Sequence, residues 1–382
     1  MQNLNRRTLF AALMFCLIYS HSTAQADDIT SLVEEIGRGL PDGVELSIGL
    51  IDDGRATKLG YRIEGQRPVA VENADKIFEI GSVTKTFTAA LIVKLAEEGK
   101  MPLSAPIQAY LPVQMARDSF EGHTITVEHL LMHTSGLSES PYTFTLPYLR
   151  AKLFSPKNPN RNFKARHYYK YLSKFELDYL PGEQWDYNNA AYGLLGEFAA
   201  MQYGLPWEEA VRQYLFEPLK MQHSYFRADK QNKDQFVTGI TAKGKKARLW
   251  EMDLINPAGA IKSTLNDMLL YASAQLSPPS DSLAFLAAAH NPVGYQVKMP
   301  EGSIWHGNAM GLGWWHNLEG EGPHFIWHGG GTGGYSAFIG FSKERNRAVV
   351  VLANISGSHP LARAENRIPK PILLGQALIQ RG

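Results

Sequence analysis

Strand-forming segments crowd the two ends of this chain while helix-forming segments fill its middle, a distribution that constrains the fold more than any other feature. Residues 45–51 (Glu-Leu-Ser-Ile-Gly-Leu-Ile) and a second segment near 57–63 flank the turn sequence Asp52-Asp53-Gly54 and predict a hairpin. Far away in sequence, Phe325–His328, Tyr335–Phe341 and Ala348–Ala353 are three more strand candidates, the last a near-continuous apolar run of the kind that is buried on both faces. Between the two groups, periodicity and terminators predict helices over Thr84–Glu98, Thr126–Met132, Ala165–Leu177, Ala190–Tyr203 and Thr264–Gln275. No repeat, low-complexity tract or linker separates independent units. The expected organisation is an α/β (α+β) sheet domain built from residues 27–103 and 290–382, interrupted by a mainly helical domain over 104–289.

The 382 residues carry 38 Lys and Arg against 37 Asp and Glu, a formal net charge of +1 that offers no global field for a polyanion. Nucleic acid is therefore not an expected partner. Arg6-Arg7, an apolar run from Thr8 to Tyr19 and Ala24-Gln25-Ala26 form the three-part pattern of a cleavable signal peptide over residues 1–26, with periplasmic or secreted destination. The run is too short for the roughly 20 apolar residues of a membrane span. The single cysteine, Cys16, lies inside that leader, so the processed chain has no disulfide, thiolate metal site or cysteine nucleophile, and its nucleophile must be an oxygen or a lysine.

From Ser140 to Lys174 the chain places Arg150, Lys152, Lys157, Arg161, Lys164, Arg166, Lys170 and Lys174 with no acidic residue between them. The plain reading is a solvated loop leading into a helix. A sharper one is a rim that associates weakly with membrane or cell-wall anions.

Three motifs carry chemistry. Ser82-Val83-Thr84-Lys85 is an S-x-x-K pattern at the start of a helix, where a three-residue offset puts both side chains on one face. A serine hydroxyl needs a base to take its proton, and a lysine serves only when burial or neighbouring cations make its neutral form accessible. The competing structural role for Ser82 is a helix N-cap. Tyr187-Asn188-Asn189 follows a Pro181-Gly182 turn and opens a helix; the phenol can shuttle a proton and the Asn189 amide can bond a substrate carbonyl, against the plainer roles of a buried tyrosine and an N-cap. Trp327-His328-Gly329-Gly330-Gly331-Thr332-Gly333-Gly334-Tyr335 loads glycine into a strand context, which lets a strand edge approach a ligand closely. His129 and His133 have the spacing of a zinc helix but no glutamate between them, so they read as structural; no metal or other cofactor is expected. No G-x-S-x-G elbow surrounds Ser82, and a Ser-His-Asp triad is the poorer account.

In this order and at these separations, Ser82-x-x-Lys85, Tyr187-x-Asn189 and His328-Gly329-Gly330 resemble the three motifs of class C β-lactamases and their penicillin-binding-protein relatives. Ile125–Leu131 with His133-Thr134-Ser135-Gly136-Leu137, Ala258–Thr264 and Gly311-Leu312-Gly313-Trp314 extend the likeness over roughly residues 40 to 355. The resemblance implies a β-lactamase/transpeptidase-like fold, with an antiparallel sheet flanked by helices beside an all-helical lobe. It also implies Ser82 as nucleophile, Lys85 and Tyr187 as a shared proton relay, and Asn189 as a substrate amide ligand. Backbone N–H groups of Ser82 and Gly331 would form the oxyanion hole, with His328 and Gly330 on the substrate side. Those class C enzymes have Lys-Thr-Gly where this chain has His328-Gly329-Gly330, so a permanent ammonium and a hydroxyl are replaced. The expectation is an exported serine hydrolase acting on a small-molecule or peptidoglycan-derived amide, β-lactam or D-amino-acid peptide. The alternatives are a carboxylesterase on the same fold and a slowly deacylating penicillin-binding sensor or cell-wall-binding module.

Overall fold

The computed structural model describes residues 28–138, 163–291, 308–318, 323–364 and 367–381. The expected signal peptide and most of the basic segment 140–174 lie outside the described residues. After a helix α1 (residues 28–37), β1 (Glu45–Asp52) and β2 (Arg55–Glu64) form the expected hairpin. Its two-residue turn has positive φ at both Asp53 and Gly54. That backbone matches the twist of the flanking strands. Strand β3 (Arg67–Ala70) extends the hairpin at the outer edge. From the other chain end come β8 (Phe325–Gly331), β9 (Ser336–Ser342) and β10 (Arg347–Ala353), once β4 (Phe78–Glu79), β5 (Lys262–Ser263), β6 (Asn308–Met310) and β7 (Trp315–Asn317) have been counted.

Strand β10 pairs antiparallel with β1, Leu46 opposite Ala353, so the two chain ends close one eight-stranded sheet of order β3-β2-β1-β10-β9-β8-β7-β6. Every pairing in it is antiparallel. The fold is the mixed, antiparallel-sheet architecture that the sequence predicts. Strand β9 is buried throughout, which requires cover on both faces. Phe338 and Phe341 point to opposite sides of β9 because they are an odd number of residues apart. Phe338 meets Gly375 of helix α8 (Lys370–Gln380), where any Cβ would fall 2.1 Å from its ring. Phe341 packs on Trp314, which in turn stacks on Tyr271 of helix α7 (Leu265–Leu276). Each such fully buried side chain contributes about 1.5–3 kcal/mol. Helix α7 falls within the stretch 104–289 read as the helical domain, yet it packs on β10, β1 and β9.

The other expected helices are α2 (Thr84–Glu97), α3 (Val127–Leu131), α4 (Ala165–Leu172) and α5 (Asn189–Tyr203), with a short α6 (Asn256–Gly259). Helix α4 stops five residues before the predicted end. There the backbones of Phe175 and Leu177 bond to Arg117 and pull the chain into an extended bridge. Helix α2 is buried along nearly its whole length against α5 and α6, so its N-terminal end, where the S-x-x-K pattern lies, sits between the sheet and the helical layer.

Candidate active site

Ser82 lies in a single 3-10 turn, Gly81–Val83, that feeds α2. Gly81 has φ +51, a conformation that side chains rarely adopt, and a Cβ there would sit 2.7 Å from the Gly331 nitrogen. From the opposite side, a Cβ on Gly330 would fall 1.9 Å from the Ile80 carbonyl oxygen. Glycine at 81 and 330 thus lets the end of β8 press directly on the backbone beside Ser82, while Gly331 faces open space. The N-cap role for Ser82 does not hold: Val83 occupies the cap of α2 and no side chain bonds there.

One turn on, Lys85 is completely buried. Its Nζ is 2.7 Å from Asn189 Oδ1, 2.9 Å from the Ala258 carbonyl and 3.2 Å from Ser82 Oγ. Two of those partners can only accept, whereas a hydroxyl can accept or donate. A neutral amine has two N–H donors and one lone pair. It therefore satisfies Asn189 and Ala258 while receiving the Ser82 hydroxyl proton, and the ammonium that results satisfies all three. The second motif closes over this amine. Lys85 Nζ stands 4.7 Å from the Tyr187 ring centroid and 5.5 Å from that of Tyr192. Asn188, not Asn189, caps α5, its Oδ1 accepting from Ala191 N–H at 2.9 Å. That leaves the Asn189 side chain turned to Lys85.

His328 is 1% exposed, and its Nδ1 lies 2.6 Å from the Gly329 carbonyl oxygen. Nδ1 therefore carries the proton, and Nε2 is a buried acceptor with no hydrogen-bond partner among the described residues. Burial first, then the nearby Lys85 charge, pushes its pKa down to about 3, against a smaller upward pull from the Gly329 carbonyl. At neutral pH it offers no positive charge.

Sequence reasoning missed two parts of the surroundings. His133, read as structural, accepts hydrogen bonds from the backbone N–H groups of Asp186 and Asn188, on either side of Tyr187. The second part is an ion pair: Glu79 and Lys262 face each other across the β4–β5 pair, 3.8 Å apart and almost wholly buried. Lys262 also donates to the carbonyls of Ala260, Trp250 and Phe226, and Glu79 accepts from Trp250 N–H. Lys262 sat in a stretch that carries the resemblance, Ala258–Thr264, and Glu79 three residues before Ser82, but their charges signalled no partner until two short strands brought them together. His129 bonds Thr126 through Nδ1 in a capping box. Among the described residues no group of three His, Cys, Asp or Glu side chains converges as metal ligands would.

The Beta-lactamase family model matches residues 39–371. The chain belongs to the β-lactamase family. Among curated proteins it is similar to a β-lactamase of Pseudomonas fluorescens, 27% identical over 366 residues that cover 86% of this chain and 94% of that protein. It is also similar to Protein flp of Staphylococcus aureus, 24% identical over 294 residues that cover 74% of this chain and 53% of that one. The chain thus spans about half the length of the latter relative. A crystal structure of a class C β-lactamase superposes with a TM-score of 0.73 at 20% identity, covering 94% of this chain and 98% of that one. That likeness is one of fold.

Proposed function

We propose that this β-lactamase-family chain is an exported serine hydrolase that works through an acyl-enzyme on Ser82. The observation that carries the reading is the set of partners around Lys85: two fixed acceptors, and one hydroxyl able to reverse its hydrogen bond. Ser82 Oγ attacks the substrate carbonyl as its proton passes to Lys85 Nζ. The backbone N–H groups of Ser82 and Gly331 hold the oxyanion, and Asn189 donates its amide N–H to the acyl side chain. Lys85 and Tyr187 return the proton to the leaving group, and water then cleaves the acyl-serine ester. The substrate is a small or peptidoglycan-derived amide, β-lactam or D-amino-acid peptide, in keeping with the similarity to a Pseudomonas fluorescens β-lactamase. A second reading, a carboxylesterase, is favoured by His328: a buried neutral imidazole gives no cation to a substrate carboxylate, so a substrate without one loses nothing here. Export rests on the leader pattern at residues 1–26. The basic segment 140–174 is proposed to provide weak contact with cell-wall or membrane anions.

Intact-protein mass spectrometry after incubation with a fluorescent penicillin, beside steady-state assays on nitrocefin and p-nitrophenyl acetate, tests this reading with Ser82→Ala as control. An adduct or turnover that vanishes in Ser82→Ala supports it, and the preferred substrate ranks lactamase against esterase. Turnover that persists in Ser82→Ala sinks it.

A further inference from the structure

His133 stands at φ +60, in the left-handed region, with its ring 1% exposed. Its backbone carbonyl accepts the Asp186 N–H at 2.8 Å, and its ring Nδ1 accepts the Asn188 N–H at 3.1 Å. The N–H groups of Asp186 and Asn188, the residues on either side of Tyr187, are therefore tied to one residue. Between these two bonds the imidazole lies against the Tyr187 phenol, ring centroids 4.4 Å apart, and against Tyr192 at 5.1 Å. Tyr192 is fixed in turn through its hydroxyl, which donates to the Leu131 carbonyl at 2.8 Å. Neighbouring bonds repeat the pattern: Gly182 N–H donates to the Thr134 carbonyl and Asn188 Nδ2 to that of Leu137. Residues 131–137 form a splint under the segment 182–188, and His133 is the point where it touches Tyr187.

The ring bond fixes the tautomer. Accepting through Nδ1 requires the proton on Nε2 and a neutral ring. Burial, with Lys85 and His328 nearby, holds the imidazole pKa well below its usual value, so the acceptor is present at neutral pH. A hydrophobic residue of the same volume would pack equally well but would leave the Asn188 N–H buried without its acceptor. A lone structural core histidine does not need to bracket the phenol that faces the Lys85 amine.

We propose that His133 is a positioning residue for acyl transfer, holding the Tyr187 phenol over Lys85 through the Asp186 and Asn188 N–H groups it accepts from and the ring it packs against. This rests on the reading of Tyr187 as part of the proton relay. Displacing a reacting group by about 1 Å costs up to about 100-fold in rate. The test is a double-mutant cycle on turnover of nitrocefin and p-nitrophenyl acetate. His133→Phe keeps the ring volume and removes the acceptor; His133→Asn removes the ring but suits the left-handed backbone, so it keeps the cycle readable where the phenylalanine variant folds poorly. Each is placed in the wild-type and Tyr187→Phe backgrounds. The expected result is a kcat loss of about 10-fold to 100-fold with KM changed less than about threefold in the wild type, and a kcat loss below about threefold once Tyr187 is phenylalanine. Losses that multiply in full in the Tyr187→Phe background, or unchanged kcat in both single variants, overturn the positioning role alone. A Tyr187→Phe enzyme with undiminished turnover overturns the relay reading itself, and this role with it.

Discussion

Lys85 and Lys262 are the same side chain under the same burial, yet their surroundings assign them opposite tasks. Both are about 1% exposed or less, and each amine donates to three oxygens of the described residues. Those of Lys262 are all backbone carbonyls, which only accept, and the Glu79 carboxylate stands 3.8 Å away. Burial pulls its pKa down from 10.5 and Glu79 pulls it back up. Losing a proton would strand one carbonyl and the carboxylate together, so Lys262 is a fixed cation that pins β5 and the Trp250 backbone against β4. Around Lys85, replacing one carbonyl by the Ser82 hydroxyl makes both protonation states satisfiable. On the proposed mechanism, what separates a structural ammonium from a base is one reversible partner, not depth of burial.

The comparison breaks most visibly at Lys85. In Lys85→Met the flexible apolar chain fills the same channel and takes away the amine. The stranded Asn189 and Ala258 oxygens cost about 1–3 kcal/mol. The expected outcome is a folded protein whose turnover falls at least about 1,000-fold, since nucleophile and base act as a unit. Thermal unfolding beside nitrocefin and p-nitrophenyl acetate kinetics checks it. A Lys85→Met protein within tenfold of wild-type kcat would show that the amine is not the base.

At Lys262 the loss should fall on stability instead. Lys262→Met leaves the Glu79 carboxylate buried without its counter-ion, a defect worth about 3–5 kcal/mol. Urea unfolding should show that loss, and Glu79→Gln added to Lys262→Met should recover part of it because the unpaired charge is gone. Should the single variant unfold at the wild-type midpoint, the ion pair is not the pin described above.

The same contrast explains what was legible beforehand. The β1–β2 hairpin and β8 to β10 were readable because alternation, turn residues and apolar runs are local. Strands β6 and β7, three residues each, leave too short a pattern to read, and α1 and α8 were not anticipated although α8 covers β9 and β10. Ser82 and Lys85 were legible because a helix turn places them together. The partners that give each lysine its role come from far away in sequence: Asn189 and Ala258 for Lys85, and Glu79, Trp250 and Phe226 for Lys262. His133 was read as structural because spacing alone cannot show that its ring and its carbonyl reach the N–H groups of Asn188 and Asp186, on either side of Tyr187. His328 was read as a mostly neutral imidazole in place of a permanent ammonium, and nothing in its local sequence shows that the ring is fully buried.

That burial yields the smallest of the expected effects and sharpens the comparison from the neutral side. His328 has a folded pKa of about 3, against about 6.5 for an unfolded histidine. Above pH 6.5 both states are neutral and the folded state has its full stability. Between 6.5 and 3 the unfolded chain binds a proton that the folded chain refuses, so stability drops as pH falls, by up to about 1.4 kcal/mol per pH unit from this group. His133, His290 and His316 are also buried with lowered pKa values and add to the slope. Replacing His328 by glutamine removes one proton from that difference. The expected result is that wild type loses stability between pH 6.5 and 4.5 more steeply than His328→Gln, by about one proton's share, while the pH dependence of p-nitrophenyl acetate turnover from 6 to 8 keeps the same shape in both. Parallel stability curves would mean that His328 takes up its proton in the folded protein at ordinary pH. A new limb in the turnover profile would mean that it does so in the site, and the cation taken to be missing beside Lys85 would then be present.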